Sequence, residues 1–108
     1  MNFLVIYPKD IERLQLEKRA VVVDIRSRGE YRKGHWKGAV NYPEEEMIDY
    51  TNVLGKNRMI ILYCEHGGSS MQLARTLGKK GYQVGTVVGG YEAIKKFEEN
   101  YLKNHKNM

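Results

Sequence analysis

Near the middle of the chain stands the sequence Met59-Ile60-Ile61-Leu62-Tyr63-Cys64-Glu65-His66-Gly67-Gly68-Ser69-Ser70. Its first part, up to Tyr63, is a run of large apolar side chains, the pattern of a strand that is buried on both faces of a sheet. Its second part is rich in glycine and serine and leads into Ser70 to Lys80, where apolar residues recur at helical spacing before Gly81. A buried strand joined by a tight loop to a helix is a building unit of α/β folds.

The same alternation of short apolar runs and helical segments extends in both directions from this stretch. Ala20 to Val23 is another continuous apolar run and predicts a central strand. Further strands are predicted at Phe3 to Ile6, Ala39 to Asn41 and Val84 to Val88, and helices from Pro8, at Ser27 to Gly34, at Glu44 to Tyr50 and at Tyr91 to Leu102. Short strands separated by helices imply βαβ units, so we predict an α/β fold with one mostly parallel central sheet and helices on both faces.

Two helices have predicted buried faces, namely Ile11, Leu14 and Leu16 in the first and Ile94, Phe97 and Tyr101 in the last. Ser27 and Glu30 have the spacing of a capping box, which predicts the start of a short helix at that point.

The length of 108 residues suits one compact domain, which we assign to residues 1–102, followed by a polar tail at residues 103–108. The longest apolar run, Met59 to Cys64, is far shorter than the ~20 residues of a membrane-spanning helix. The apolar N-terminal segment stops at Pro8 and lacks the pattern of a secretory signal. We therefore expect a cytoplasmic protein that does not bind membranes.

The chain is basic, with a formal net charge of +5 and an isoelectric point of about 9.3. Residues 1–54 carry nine Lys and Arg against nine Asp and Glu, whereas residues 55–108 carry nine against four. This excess is typical of a solvated basic face, or of a field that attracts small anions. Aromatic residues are not interleaved with a basic stripe, so nucleic-acid binding is not expected.

Cys64 is the only cysteine, which excludes an internal disulfide and a cysteine-based metal site. It follows a buried strand, at the sheet edge where ligands of open α/β proteins bind. Gly67 and Gly68 can take positive φ and turn consecutive backbone N–H groups inward, and Ser69 or Ser70 can cap the helix that follows. These groups favour thiolate over thiol, so we expect Cys64 to be nucleophilic near neutral pH. The alternative is a small buried apolar residue that ends a strand.

Neighbouring residues leave two further interpretations open. His66 could pair with Cys64, as in Cys–His hydrolases, or could make a hydrogen bond that shapes the loop. Asp24, Arg26 and Glu30 are expected to form a structural ion-pair network near a strand end. Phosphatases with a cysteine loop need an arginine at the sixth position after the cysteine, where this chain has Ser70, so dephosphorylation is not expected.

Several segments together resemble one known family: Asp24-Ile25-Arg26, Glu30-Tyr31, Gly34 to Asn41, Cys64 to Ser70, and Val88-Gly89-Gly90-Tyr91. The combination resembles the rhodanese-like sulfurtransferases. The loop Cys64-Glu65-His66-Gly67-Gly68-Ser69-Ser70 looks most like that of single-domain bacterial thiosulfate sulfurtransferases.

The resemblance implies a single rhodanese-like domain in which Cys64 is the catalytic nucleophile and carries a persulfide. The residues implied to bind the substrate are Glu65, His66, Gly67, Gly68, Ser69 and Ser70. The implied partners are a small anionic sulfur donor such as thiosulfate and a thiol or cyanide acceptor, with no metal or organic cofactor. An alternative function is a persulfide carrier or interaction module that delivers sulfur to a partner protein and turns over little free thiosulfate.

The loop departs from the pattern of many family members, which carry an arginine where this chain has Ser69 and Ser70. The next cation, Arg75, is placed by the helical period away from the apolar face. Glu65 lies beside the nucleophile and would repel thiosulfate if its side chain turned inward. The orientation of Glu65 therefore bears directly on function.

Overall fold

The computed structural model describes residues 2–105 and confirms the predicted alternation of strands and helices. In chain order the elements are β1 (Leu4–Ile6), α1 (Pro8–Glu17), β2 (Val21–Asp24), α2 (Arg28–Lys33), β3 (Val40–Asn41), a 3₁₀-helix (Glu44–Glu46), α3 (Met47–Leu54), β4 (Ile60–Tyr63), α4 (Gly68–Lys79), β5 (Val84–Val87) and α5 (Gly90–His105).

The strands form one parallel sheet in the order β1-β5-β4-β2-β3. β4 lies in the middle, with Ile61 opposite Val22 of β2 on one side and opposite Gly85 of β5 on the other. β2, which the sequence predicts as central, lies inside the sheet next to β4. All carboxyl ends meet at one edge, so Cys64, which follows Tyr63, emerges at the edge where α/β proteins bind ligands.

The core has two layers because the four side chains of β4 alternate between the two faces of the sheet. Ile61 and Tyr63 pack with residues of α1 and α5, whereas Ile60 and Leu62 pack with residues of α3 and α4. All four are 0% exposed. Burying each aliphatic side chain of this size contributes about 1.5–3 kcal/mol, so β4 is held firmly at the point where the loop that contains Cys64 begins.

The predicted apolar faces of two helices are partly wrong. Ile11 and Leu14 are buried, but Leu16 is 76% exposed because it lies about 140° around the helix from Ile11. Ile94 is fully buried, whereas Tyr101 is 54% exposed. Tyr101 follows the helical period, but α5 is ~24 Å long, whereas a four-residue strand is ~13 Å long, so its distal part extends past the core.

Two element boundaries also differ from the predictions. The acidic run Glu44–Glu46 forms a 3₁₀-helix, and the α-helix begins only at Met47 and continues to Leu54. α5 continues to His105, beyond the predicted boundary at Leu102, and residues 106–108 of the predicted tail lie outside the described residues. Among residues 2–105, no helix has the length and apolar character required of a membrane span.

The two predicted helix caps have different outcomes. Ser27 caps α2, because its Oγ accepts a hydrogen bond from the Glu30 N–H at 3.3 Å and donates to the Glu30 carboxylate at 3.1 Å. α4 begins at Gly68 and has Gly67 at its N-cap position, with no side chain as the cap. The prediction that Ser69 or Ser70 caps this helix is therefore wrong.

We expect Ser27→Ala to lower the free energy of unfolding by about 1 kcal/mol, since it removes the only side-chain acceptor seen at the start of α2 among the described residues. Ser69→Ala is the matched control and should change it by less than about 0.5 kcal/mol, as expected for an exposed side chain outside a cap. Urea denaturation measures both. Equal losses in the two variants would contradict the assignment of the cap.

Candidate active site

The sulfur of Cys64 sits in a cradle of backbone amides directly after β4. Its Sγ accepts hydrogen bonds from the N–H of Gly67 at 3.1 Å and from the N–H of Ser70 at 3.4 Å. Cys64 is buried, with 8% of its surface exposed. The chain can bend back over the sulfur because Gly67 has φ +106°, a conformation that side chains with a Cβ rarely adopt.

The sulfur takes the place that a capping oxygen occupies in other helices. The first N–H groups of a helix have no partner within the helix, and the N–H of Ser70, in the first turn of α4, points at Cys64 Sγ instead. This bond explains why neither predicted serine is needed as a cap. Amide donors and the positive end of the helix dipole both favour negative charge at Sγ.

The Ser70 hydroxyl forms a second, buried part of the cradle. It donates to the carbonyl oxygen of Gly67 at 3.3 Å, accepts a weak hydrogen bond from the Cys64 thiol at 3.5 Å, and lies 2.7 Å from the hydroxyl of Thr86. Thr86, in β5, was not among the predicted site residues. The sequence does contain a signal for it, since Thr86 is a polar residue within the apolar run Val84 to Val88. A buried hydroxyl needs a hydrogen-bond partner, so such a residue indicates a polar contact inside the fold.

The two glycines of the loop are not equivalent. Gly67 takes the predicted positive φ, whereas Gly68 does not and forms the first residue of α4. A Cβ at Gly68 would have no atom within 4 Å. The prediction that both glycines take positive φ is therefore wrong for Gly68, and both Gly68 and Ser69 are exposed.

The carboxylate of Glu65 binds Arg26, with 3.2 Å between Glu65 Oε1 and Arg26 Nη1. The predicted ion-pair network thus reaches Glu65 instead of Glu30, whose carboxylate bonds to Ser27 within the capping motif. Glu65 reaches Arg26 because β2 and β4 are neighbours in the sheet, so the residues that follow their carboxyl ends lie side by side. This proximity comes from the order of the strands and not from the local sequence. Arg26 therefore offsets the charge that Glu65 brings next to Cys64.

Arg26 is itself buried and fully engaged beneath the loop. Its Nε and Nη2 donate to both carboxylate oxygens of Asp24 at 2.7–3.2 Å, and Nη2 also donates to the Gly34 carbonyl at 2.6 Å. Its guanidinium carbon lies 4.0 Å from the centre of the Tyr91 ring. Burial opposes the charge on Arg26, but the bonds and charges of Asp24 and Glu65 outweigh it and raise its pKa. Arg26 is a permanent cation that is already paired.

His66 points away from the cradle. Its Nδ1 lies 2.9 Å from Glu92 Oε2, and its side chain is 74% exposed. Within the described part of the chain, no hydrogen bond joins His66 to Cys64. The loop-shaping alternative is the one that this geometry favours.

Within residues 2–105, no group of three or more His, Cys, Asp or Glu side chains is placed to hold a metal ion. The hydrogen-bond partners of the Cys64 sulfur among these residues are the amides of Gly67 and Ser70 and the hydroxyl of Ser70.

Comparison with known proteins agrees with this fold. Residues 7–97 match the model of the rhodanese-like domain. The chain belongs to the rhodanese-like domain family. A solved rhodanese-like domain protein from Staphylococcus aureus superposes on this domain with a TM-score of 0.75 and 26% sequence identity, covering 85% of this chain and 91% of the other.

Curated relatives of this rhodanese-like domain include a thiosulfate sulfurtransferase and a tRNA sulfurtransferase. The thiosulfate sulfurtransferase GlpE of Pseudomonas fluorescens is 35% identical over 77 residues, which are 70% of this chain and 71% of GlpE. The tRNA sulfurtransferase of Pyrobaculum aerophilum is 35% identical over 74 residues, which are 68% of this chain but 15% of that protein. The chain thus spans most of the first relative and a small part of the second.

We expect Arg26→Ala to destabilise the domain by about 3–5 kcal/mol, because it leaves the fully buried carboxylate of Asp24 without its cation. Arg28→Ala is the matched control, since Arg28 makes an exposed ion pair with Glu46 and its loss should cost less than about 1 kcal/mol. Chemical denaturation compares the two variants. A cost for Arg26→Ala no larger than that for Arg28→Ala would contradict the role given to the buried pair.

Proposed function

We propose that this rhodanese-like domain is a sulfurtransferase that moves a sulfane sulfur from thiosulfate, or a related donor, to cyanide or a thiol through a persulfide on Cys64. Cys64 is the nucleophile in this proposal, and the loop from Glu65 to Ser70 surrounds the transferred sulfur. The observation that carries the proposal is the pair of hydrogen bonds from the amides of Gly67 and Ser70 to Cys64 Sγ.

In the first step the Cys64 thiolate attacks the outer sulfur of thiosulfate. A new S–S bond forms, the S–S bond of thiosulfate breaks, and sulfite leaves with the electron pair. Cys64 then carries a persulfide whose terminal sulfur is negatively charged. Amide donors that stabilise the thiolate also lie next to this charge, so one cradle serves both states.

In the second step an acceptor attacks the terminal sulfur of the persulfide. The bond between the two sulfur atoms breaks, the acceptor leaves with the added sulfur as thiocyanate or a new persulfide, and the Cys64 thiolate re-forms. Two successive displacements through a covalent intermediate give ping-pong kinetics. The reaction is balanced without a metal or an external oxidant. A thiol that must remain reduced suits the cytoplasm.

A second candidate function is a persulfide carrier that delivers sulfur to a partner protein. The charges around the cradle favour this candidate over rapid turnover of free thiosulfate. Thiosulfate carries two negative charges, whereas the hydrogen-bond donors at Cys64 Sγ in the described structure are neutral amides. The carboxylate of Glu65 forms an ion pair with Arg26 and so offsets the positive charge that could attract thiosulfate.

Incubation with thiosulfate should add one sulfur atom to the protein, because the cradle stabilises the persulfide. Intact-protein mass spectrometry measures the added mass. Cys64→Ser should gain no sulfur and serves as the control. An unmodified wild-type protein, or a Cys64→Ser variant that gains the same mass, would rule out the proposed intermediate.

Steady-state formation of thiocyanate from thiosulfate and cyanide separates the two candidate functions. We expect a rate above that of Cys64→Ser if the domain acts on small molecules. A rate equal to that of Cys64→Ser, from a protein whose Cys64 loads with sulfur, would favour the carrier.

We expect Glu65→Gln to raise kcat/KM for thiosulfate by roughly threefold to tenfold at low salt, because it removes a negative charge beside the cradle and frees the charge of Arg26. Added salt should reduce the gain. Glu17→Gln is the matched control, since Glu17 ends α1 at the opposite edge of the sheet and should change kcat/KM by less than about twofold. Equal values for wild type and Glu65→Gln would contradict an electrostatic role for Glu65.

A further inference from the structure

The first turn of α5 is hydrogen-bonded to the backbone of the loop from Cys64 to Gly67, called the reactive loop below. The N–H of Tyr91 donates to the carbonyl oxygen of Cys64 at 2.8 Å, and the N–H of Glu92 donates to the carbonyl oxygen of Glu65 at 3.1 Å. Both donors belong to the group of first-turn amides that have no partner within a helix. The loop thus contacts two helix N-termini, α4 through the sulfur of Cys64 and α5 through two of its carbonyl groups.

Gly90 makes this close approach possible. It has φ +63°, and a Cβ at this position would lie 2.5 Å from the carbonyl oxygen of Cys64 and 2.7 Å from the carbonyl carbon of Glu65. Both distances are shorter than real Cβ contacts, and the atoms concerned are backbone atoms that cannot rotate aside. A side chain at Gly90 would therefore displace the loop.

A side-chain link joins the same two segments. The carboxylate of Glu92 accepts a hydrogen bond from His66 at 2.9 Å and lies 3.6 Å from Lys96 in the next turn of α5. His66 and Glu92 are both more than half exposed, so this link is worth little by itself. It reinforces the two backbone bonds beside it.

The held carbonyl groups determine where the neighbouring amides point. In a trans peptide the N–H lies opposite the C=O, and no peptide bond within residues 2–105 is cis. Because the carbonyls of Cys64 and Glu65 point at α5, the N–H groups of Glu65 and His66 point away from it. Neither amide donates to an acceptor in the part of the chain that the structure describes.

We propose that the α5 clamp, formed by Gly90, Tyr91 and Glu92, orients the reactive loop so that the free amides of Glu65 and His66 face the terminal sulfur of the Cys64 persulfide. Gly90 and Glu92 are positioning residues in this scheme, because they act through the loop backbone and do not touch the sulfur. The inference rests on the proposed sulfur transfer and assigns its second pair of amide donors.

Gly90→Ala tests the clamp, with Gly89→Ala as its matched control. Gly89 also has a positive φ, +76°, but a Cβ there would meet the side chain of Ala93 and not the loop. The two readouts are the rate constant of persulfide formation at saturating thiosulfate and the rate of Cys64 alkylation by iodoacetamide. We expect Gly90→Ala to slow persulfide formation at least about tenfold, which is the scale of losing one well-placed hydrogen bond. Gly89→Ala should slow it less than about twofold.

Thermal unfolding of both variants separates this effect from lost stability. Equal slowing in Gly89→Ala and Gly90→Ala would overturn the proposal. If wild type gains no sulfur from thiosulfate, the proposed function fails, and the alkylation rates still decide the clamp: selective slowing in Gly90→Ala supports it, and equal rates overturn it.

A second pair of variants applies if Gly90→Ala does not fold. Glu92→Pro removes both the N–H and the carboxylate, whereas Glu92→Ala removes only the carboxylate, and proline is tolerated in the first turn of a helix. Ala93→Pro controls for proline itself, because its N–H bonds to Gly89 within the same turn and not to the loop. We expect Glu92→Pro to form the persulfide about tenfold more slowly than Glu92→Ala and Ala93→Pro. Equal rates in Glu92→Pro and Glu92→Ala would show that the backbone bond does not position the loop.

Discussion

The site depends on two backbone amides that donate to one sulfur atom. The N–H groups of Gly67 and Ser70 reach Cys64 Sγ only because β4 ends at a fixed point, Gly67 turns the chain back, and α4 begins immediately afterwards. The core provides the fixed point, since every side chain of β4 is buried between the two helical layers. The sulfur in return takes the place of a cap on α4, so forming the helix and building the cradle are one structural event.

The charged residues beneath the loop form a second layer that ties neighbouring strands together. Arg26 follows β2, binds the buried carboxylate of Asp24, and extends across to Glu65 at the end of β4. It thus holds the carboxylate that directly follows Cys64 in place and offsets its charge. The cradle at the sulfur consists of neutral donors, and the nearby cation is buried among its own partners. This layout supports the proposal of a cradle that stabilises one negative charge on sulfur.

Local sequence patterns were sufficient to predict the elements and the nature of the loop. The apolar run before Cys64 and the glycines after it predict a strand, a tight turn and a helix, and the structure contains all three. The predicted buried faces were wrong at Leu16, which lies off the apolar stripe of α1, and at Tyr101, which follows the helical period but lies beyond the end of the core. The cap of α4 was missed because the group that fills it, a sulfur atom, is not among the usual capping side chains.

Contacts between residues far apart in the chain could not be predicted from local sequence patterns. Glu65 was recognised as decisive, but its partner Arg26 is 39 residues away and becomes its neighbour only through the order of the strands. Thr86 and Glu92 meet the loop for a similar reason, since β5 is the neighbour of β4 in the sheet and α5 follows β5 in the chain. Family resemblance supplied the chemistry expected of Cys64, whereas the orientation of each side chain around it required the structure.

The most direct test of the central claim is to follow the amide protons of Gly67 and Ser70 by NMR while Cys64 is titrated from thiol to thiolate. If these amides donate to the sulfur, both proton resonances should move downfield together as the thiolate forms, and the response should vanish in Cys64→Ala. If both resonances stay unchanged through the pH range in which Cys64 becomes reactive towards iodoacetamide, the amides do not stabilise the charge on sulfur and the account is wrong.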